Sequence, residues 1–497
     1  MASLKAGTVL ITGCSRGIGL ELVKQFLGLP MPPAHIFASC RSPDTAHELQ
    51  QISKDNPSVT VLKIDVEDAT TIESAALQME QILDGSGLNL LINNAGISRS
   101  EQNIDDVEEE TMISIYRVNT VGPLLVTKRF LPLIRKAAQT YGKDEYSASR
   151  AAIMNISSKR GSMYENKSAG YYSCRCSKIA LHMISKNLSI ELEADKILVV
   201  NLNPGWVKTD MGGPNAIIPL EKSVNGLMNV MATRTKEHNA LLFDFEGETF
   251  RTPVGCSRGI GLEFVKQFVR LPSPQSPPVH IFASCRSPDT AHELQQISKD
   301  NPSVTVLKID VEDKTTIDSA ALQVEQILAG SGLNLLINNA AISEKEEKID
   351  DVTEEAMISN YRVNTVGPLL VVKRFLPLIR KAAQTYGKDE YSASRAAIMN
   401  ISTKLASIED NRSARYYSYR CSKAALHMVS KNLSIELEAD KILVVNLHPG
   451  WVRTERGGPN APISTEECVN ALLKVMATRT KEHNALFYDF KGVLIPW

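Results

Sequence analysis

Residues 8–27, TVLITGCSRGIGLELVKQFL, change their period in mid-stretch. Thr8–Ile11 is continuously apolar, which reads as a strand buried on both faces, as in a parallel sheet. Gly13, Gly17 and Gly19 follow, and from Gly19 to Leu27 the apolar residues recur at helical spacing. A strand, a glycine turn and a helix in that order form a cradle for a phosphate. The glycines let the backbone approach the ligand, and the helix N-terminus supplies unpaired N–H groups and a positive dipole end. Working outward, further strands are expected at His35–Ser39, Val59–Ile64, Leu88–Ile92, Ala151–Ile156 and Ile197–Leu202. Helices are expected between them, with Leu124–Ala138 and Cys174–Ala194 the longest. Alternating βα units with apolar strands predict an α/β fold with a doubly wound parallel sheet.

That unit occurs twice. HELQQISKDNPSVTVLKIDVED at His47–Asp68 returns letter for letter at His292–Asp313, and KAAQTYGKDEYSASRAAIMNIS at Lys136–Ser157 returns at Lys381–Ser402. The offset is 242 residues at Gly13/Gly255 and 245 from His35/His280 onward, because the Pro272–Pro278 loop carries three extra residues. A period of this size is a duplicated domain rather than a solenoid repeat. Two tandem Rossmann-like sheets are therefore expected, in residues 1–250 and 251–497. The join has no Gly/Ser linker: DFEGETF runs straight into RTPVGCSRGIG. The second copy thus reads FRTPVG where the first reads TVLITG. Pro253 removes a ladder donor and Arg251 places a charge in what should be a central strand, so that strand is expected frayed or absent.

With 55 basic and 56 acidic residues the chain has no charge excess to bring it to nucleic acid or a membrane surface. No signal-peptide layout opens it, and no apolar run reaches the roughly 20 residues of a membrane span. Eight scattered cysteines suggest reduced thiols and a cytoplasmic location. Cys174 and Cys176 lack a second Cys/His cluster, so no metal site is assigned. The acidic run Glu101–Glu110 reads as a solvated helix start, and the histidines show no ligand spacing.

The second strand ends Ala38-Ser39-Cys40-Arg41, without an acidic residue to accept from a ribose 2′-hydroxyl. Arg16 and Arg41 offer guanidinium groups suited to a 2′-phosphate, as do Arg258 and Arg286 in the second copy. The plainer alternative is a set of solvated surface arginines. The favoured reading is NADP(H).

Together, TGCSRGIG, Asn93-Asn94-Ala95-Gly96, Asn119 in RVNTVG, Ser157-Ser158, Lys178 and the Pro204–Thr209 turn resemble the short-chain dehydrogenase/reductase family. HPGWV-x-T at His448–Thr454 and the SKxxLHM helix are most similar to its sniffer and C-factor-like carbonyl reductases. The resemblance spans both copies. It implies cofactor contacts at Gly13, Ser15, Arg16, Gly17, Ile18, Gly19, Arg41, Asp65, Asn93, Ala95, Lys178, Pro204 and Thr209. In the second copy they are Gly255, Ser257, Arg258, Gly259, Ile260, Gly261, Arg286, Asp310, Asn338, Ala340, Lys423, Pro449 and Thr454.

The family's proton chemistry uses a Tyr-x-x-x-Lys pair on one helix face, the lysine lowering the phenol's pKa from about 10. A serine hydroxyl holds the carbonyl oxygen and an asparagine supports a relay. The second copy matches with Asn364, Tyr419 and Lys423, and has Thr403 at the serine position. The first keeps Asn119, Ser158 and Lys178 but has Cys174 for the tyrosine, several ångströms too short to replace a phenol. Gly96 becomes Ala341 in the second copy. Trp206 and Trp451 are expected to pack beside the nicotinamide. The implied function is NADPH-dependent reduction of a small-molecule carbonyl, mainly by the second copy. The alternative is an NADP-binding scaffold with both sites impaired. Family members pair through the helices carrying the asparagine and lysine, so the copies are expected to form a pseudo-dimer within one chain. NADPH should bind at least tenfold more tightly than NADH, about 1.4 kcal/mol. Calorimetric titration checks this, and an Arg41→Asp variant with unchanged preference would remove the basis for it.

Overall fold

The computed structural model describes residues 4–140, 146–244, 259–270, 280–385 and 391–497. In the first copy the strands are β1 (Thr8–Ile11), β2 (His35–Cys40), β3 (Val59–Lys63), β4 (Leu90–Asn93), β5 (Ala152–Ile156), β6 (Leu198–Asn203) and β7 (Leu242–Asp244). The helices are α1 (Gly17–Leu27), α2 (His47–Asp55), α3 (Ala69–Leu83), α4 (Glu109–Tyr116), α5 (Gly122–Thr140), α6 (Tyr172–Glu191) and α7 (Leu220–Thr233). The sheet is wholly parallel with order β3-β2-β1-β4-β5-β6-β7. Connections reverse direction between β1 and β4, which opens a crevice at the strands' C-terminal ends. The glycine turn after β1 lies at that crevice. Expected boundaries shift by a few residues: the helix drawn to Ala194 stops at Glu191, and the backbone then turns through Lys196 at φ 52°.

The second copy contains α8 (Ile260–Val269), β8 (Ile281–Cys285), α9 (His292–Asp300), β9 (Val304–Lys308), α10 (Lys314–Leu328) and β10 (Leu335–Asn338). It continues with α11 (Glu354–Tyr361), α12 (Gly367–Thr385), β11 (Ala397–Ile401), α13 (Tyr417–Glu436), β12 (Leu443–His448), α14 (Thr465–Ala477) and β13 (Phe487–Asp489). Its described strands form a four-stranded sheet, β10-β11-β12-β13, and a separate pair, β8-β9. In the first copy β1 joins the corresponding pieces by pairing with both β2 and β4. The degraded segment expected in its place, residues 251–254, lies outside the described residues. The packing differs accordingly. Leu90, Leu91 and Ile92 are fully buried, whereas every residue of β10 is half-buried. One apolar cluster spans Leu22, Ile36, Leu90 and Leu198 in the first copy. Its counterpart is divided into one group around Leu443 and Leu472 and another around Ile281 and Val304. Among the described residues, Phe264, Ile281, Ala283, Leu335 and Ile337 line the space between β8 and β10.

The copies meet across a two-fold arrangement. Helix α6 packs along α13, and α4 faces α11. Tyr116 and Tyr361 stack with centroids 3.8 Å apart. Tyr172 donates to Glu436 at 2.7 Å, and Tyr417 donates to Glu191 at 2.6 Å. The same carboxylates accept from the amides of Ile104 and Ile349 in the opposite copy. Arg117 pairs with Glu354 at 2.7 Å and Arg362 with Glu109 at 3.0 Å. Each contact recurs with the copies exchanged, the signature of an isologous interface. Burial pushes the Glu191 carboxyl up, while bonds from Tyr417 and the Ile349 amide pull it back. Aliphatic residues of both copies belong to one continuous core.

If Pro253 and Arg251 keep the first strand from forming, as the sequence predicts, the amides of β10 should be poorly protected. Hydrogen exchange at Leu335–Asn338 is expected at least tenfold faster than at Leu90–Asn93; equal protection in the two strands would show that the gap is filled.

Candidate active site

In the first copy the glycine turn is built for close approach. Gly13 has φ +74°, and a Cβ there would lie 2.9 Å from the Ala95 Cα; at Gly19 it would lie 2.3 Å from the Gly13 carbonyl oxygen. The turn is clamped from β4. Asn94 Nδ2 donates to the Thr12 and Gly13 carbonyls at 2.8 and 3.1 Å, and Thr12 Oγ1 accepts from the amides of Asn94 and Ala95. These contacts leave the N-terminus of α1 facing the crevice, so Gly13, Ser15, Gly17, Ile18 and Gly19 fit a pyrophosphate. Arg41 is exposed directly after β2. Arg16 is exposed too, in an ion pair with Asp210 at 2.6 Å. Such a solvent-screened pair contributes little, so Arg16 can exchange it for a phosphate. Thr209 lies beside Gly17, its Oγ1 accepting from the Gly212 amide, and the Pro204 carbonyl accepts from Ser223. Asp65 holds a turn by accepting from the Glu67 amide, and Asp310 does the same for Glu312.

The two adjacent asparagines of this turn are held differently. Asn93 points into the core, donating to Thr127 Oγ1 at 3.1 Å and Asn155 Oδ1 at 2.8 Å. Asn338 likewise donates to Asn400 at 2.8 Å. These side chains tie neighbouring strands together, because a buried amide needs internal partners. The following residue, Asn94, is the one that grips the cradle. The sequence reading left it unassigned, since adjacent asparagines look alike in a string and only strand alternation separates their faces.

In the second copy Gly255, Ser257 and Arg258 lie outside the described residues. Gly259, Ile260 and Gly261 open α8, with Gly259 at φ +46° and beside Thr454. Arg286 is exposed after β8, matching Arg41. Ala340 and Pro449 follow β10 and β12, as Ala95 and Pro204 follow β4 and β6.

The proton-transfer positions converge at the crevice in both copies. Asn119 and Asn364 sit in single π-helical turns, Arg117–Val121 and Arg362–Val366, which join α4 to α5 and α11 to α12. Such turns break the regular helical ladder and often occur at functional sites. Each asparagine is fully buried and bonds both ways to the backbone of Ile97 or Ile342 at 2.8 Å. Their Nδ2 groups also donate to Ser177 and Ser422 on the helices carrying the lysines. Ser158 and Thr403 cap the short turns after β5 and β11 by accepting from the amides of Arg160 and Leu405. Their hydroxyl protons are not used in those bonds.

Tyr419 and Lys423 are one turn apart on α13 and both buried. In the first copy Cys174, buried, and Lys178, half-buried, occupy the same positions on α6. Lys178 Nζ donates to the Ile156 carbonyl at 2.9 Å, and burial pulls its pKa down to about 8. No phenol of the first copy takes the Cys174 position: Tyr171 precedes the helix at φ 53° under the Arg160 guanidinium, and Tyr172 turns to Glu436 across the interface. Histidines 182 and 427 are core residues bonded to Ser157 and Ser402. Trp206 and Trp451 are exposed beyond β6 and β12, each donating from Nε1 to a glycine carbonyl.

Two further features escaped the sequence reading. Glu101, assigned to a solvated run, is only 3% exposed, as is its counterpart Glu346. Their carboxylates accept from the Ser173 and Ser418 amides in the first turns of α6 and α13. Their carbonyls accept from Tyr171 and Tyr416, both left-handed, at 2.7 and 2.8 Å. Each glutamate thereby fixes the start of a lysine-bearing helix, although burial pushes its pKa up. An acidic cluster gives no sign of which member turns inward. The second feature is Arg456, whose guanidinium carbon stands 5.3 Å from the Tyr419 ring centroid. Its Nη2 donates to the Ala341 carbonyl at 3.2 Å.

The short chain dehydrogenase family model matches residues 7–216 and again residues 253–462. An uncharacterized oxidoreductase of Schizosaccharomyces pombe is 31% identical over 260 residues, spanning 49% of this chain and 96% of its own length. Carbonyl reductase Sniffer of Drosophila melanogaster is 36% identical, covering 49% of this chain and 99% of its own with a TM-score of 0.48. The N-domain of a bacterial malonyl-CoA reductase, solved with NADP, covers 97% of both chains with a TM-score of 0.68 at 12% identity. That last likeness extends the shared fold across both copies. With its nucleotide cradle, its buried lysine helices and a family match in each half, this chain belongs to the short chain dehydrogenase family in two tandem copies.

Proposed function

We propose that the chain is an NADP-dependent oxidoreductase that reduces an aldehyde, ketone or quinone to the alcohol, mainly through residues 251–497. The units of this reading are residues 1–250 and 251–497, paired as a pseudo-dimer within one molecule in the cytoplasm. One observation carries it: the second copy keeps Asn364, Thr403, Tyr419 and Lys423 together in one buried cluster, which a scaffold has no need of. The glycine turn, with Arg41 or Arg286 toward the 2′-phosphate, would hold NADPH, whose chemistry there would be hydride donation to the carbonyl carbon. The Thr403 hydroxyl donates to the carbonyl oxygen and orients it. Tyr419 then gives that oxygen its proton, as a general acid within hydrogen-bond reach. Lys423, one turn along α13, favours the resulting phenolate by its charge. Asn364 holds Ser422 and the Ile342 backbone, fixing the wall behind the pair. In the first copy Lys178 faces a thiol too short to reach such an oxygen.

The FRTPVG stretch in place of TVLITG favours a second reading, in which the second copy binds cofactor poorly and the chain acts as an NADP-binding scaffold. The two readings part at Tyr419. NADPH consumption, followed by absorbance with reactive aldehydes, ketones and quinones, should fall roughly 10²–10⁴-fold in Tyr419→Phe. Lys178→Ala, with no phenol to tune, should change it little. Equal inactivity of the parent and Tyr419→Phe on every carbonyl would support the scaffold.

A further inference from the structure

The loop after β12 differs from the loop after β6 at one chemically decisive place. Arg456 stands where the first copy has Met211. Met211 is 62% exposed and offers no charge. Arg456 lies over the Tyr419 ring, anchored along one edge by its bond to the Ala341 carbonyl. No carboxylate among the described residues forms an ion pair with it, in contrast to Arg129, Arg135, Arg374 and Arg380, which all have acidic partners. A guanidinium has five N–H donors in a planar fork, and the bond to Ala341 uses only part of them. The others remain available on a guanidinium that stands beside the ring of Tyr419.

We propose that Arg456 is a specificity-determining residue that binds a carboxylate of the substrate, so that the second copy prefers carbonyl compounds carrying a carboxylate next to the carbonyl carbon. This rests on the reading of Tyr419 as the proton donor. The guanidinium carbon is 5.3 Å from the centre of that ring, so a cation stands next to the phenol. That spacing suits a 2-oxo acid better than a carboxylate at the end of a long chain. The planar fork takes a carboxylate through two parallel bonds, which fixes the carbonyl's orientation as well as its affinity. The remainder of such a substrate meets apolar surface. Trp451 is 58% exposed, its indole bonded to the Gly457 carbonyl beside Arg456; Leu405, 37% exposed, follows Thr403. The corresponding residues of the first copy are Trp206 and Arg160, and Arg160 is engaged with the Tyr171 ring. The two crevices therefore carry their arginine at different positions and present different charge to a ligand.

The test compares phenylglyoxylate with its methyl ester, which has the same aryl ketone but no anion. With the full-length protein and NADPH, kcat/KM for the acid should exceed that for the ester, and Arg456→Met should lower the acid-to-ester ratio at least tenfold. Arg456→Lys, which keeps the charge and loses the fork, should recover part of the ratio. Calorimetry of phenylglyoxylate with the NADP-loaded protein should show at least tenfold weaker binding in Arg456→Met. Equal losses for acid and ester, with a shifted pH profile, would mean that Arg456 acts only on the phenol and would overturn the proposal. Unchanged acid binding would overturn it as well. Arg456-dependent binding of the acid without turnover of either compound would retain the carboxylate subsite and reject the reductase reading.

Discussion

Helices α6 and α13 approach closely enough for Cys176 Sγ to donate to the Ala425 carbonyl and Cys421 Sγ to the Ala180 carbonyl, both at 3.5 Å. Small residues permit that approach, and the two tyrosine–glutamate bonds seal its ends. A hydrogen bond to a charged group contributes about 1.5–3 kcal/mol, and removing one partner of a buried set costs more than the bond itself supplies. The opposite faces of the same helices carry Lys178 and Lys423. Packing between the copies and alignment at each crevice are therefore set by the same two rigid bodies. Asn166 with Asn432, and Asn411 with Asn187, extend the coupling to the loops that lead into those helices.

This shared core also supports the second copy, whose described strands fall into two groups. In the first copy β1 unites the apolar groups on its two sides, whereas the second keeps them apart. The four strands next to the interface remain ordered against α12 and α13, while β8 and β9 form a separate pair. The cost of the FRTPVG stretch falls on the half that would hold the nucleotide's adenosine side, away from Tyr419 and Lys423. The lesions of the two copies are complementary. One keeps the described glycine turn with Cys174 in the phenol's place; the other keeps Tyr419 but reads FRTPVG where the first copy reads TVLITG.

Much of this was legible in the string. Continuous apolar runs such as Leu198–Leu202 leave little alternative to buried parallel strands, and the letter-for-letter repeats reveal the duplication. The Cys174 substitution and Pro253 stood out because each breaks a pattern with a definite geometric requirement. Three features did not show. The inward turn of Glu101 and Glu346 depends on a left-handed tyrosine about seventy residues later in sequence, whose carbonyl partner cannot be read from spacing. Strand parity alone separates Asn93, whose side chain ties strands together, from Asn94, whose side chain holds the glycine turn. The Arg456–Tyr419 contact joins a loop to helix α13 through tertiary structure, and alignment of the two copies shows only that arginine stands in place of Met211.

The account holds that the copies are versions of one machine, and that Cys174 is what silences the first. The direct measurement is NADPH oxidation by the double variant Cys174→Tyr with Tyr419→Phe. The first copy already has its glycine turn, Asn119, Ser158 and Lys178 in place, so one phenol completes its proton-transfer set. Turnover that is absent in Tyr419→Phe should appear in the double variant, with a carbonyl preference set by Met211 and Arg160 in place of Arg456 and Leu405. A double variant that binds NADPH in its first copy yet stays silent on every carbonyl would contradict the account.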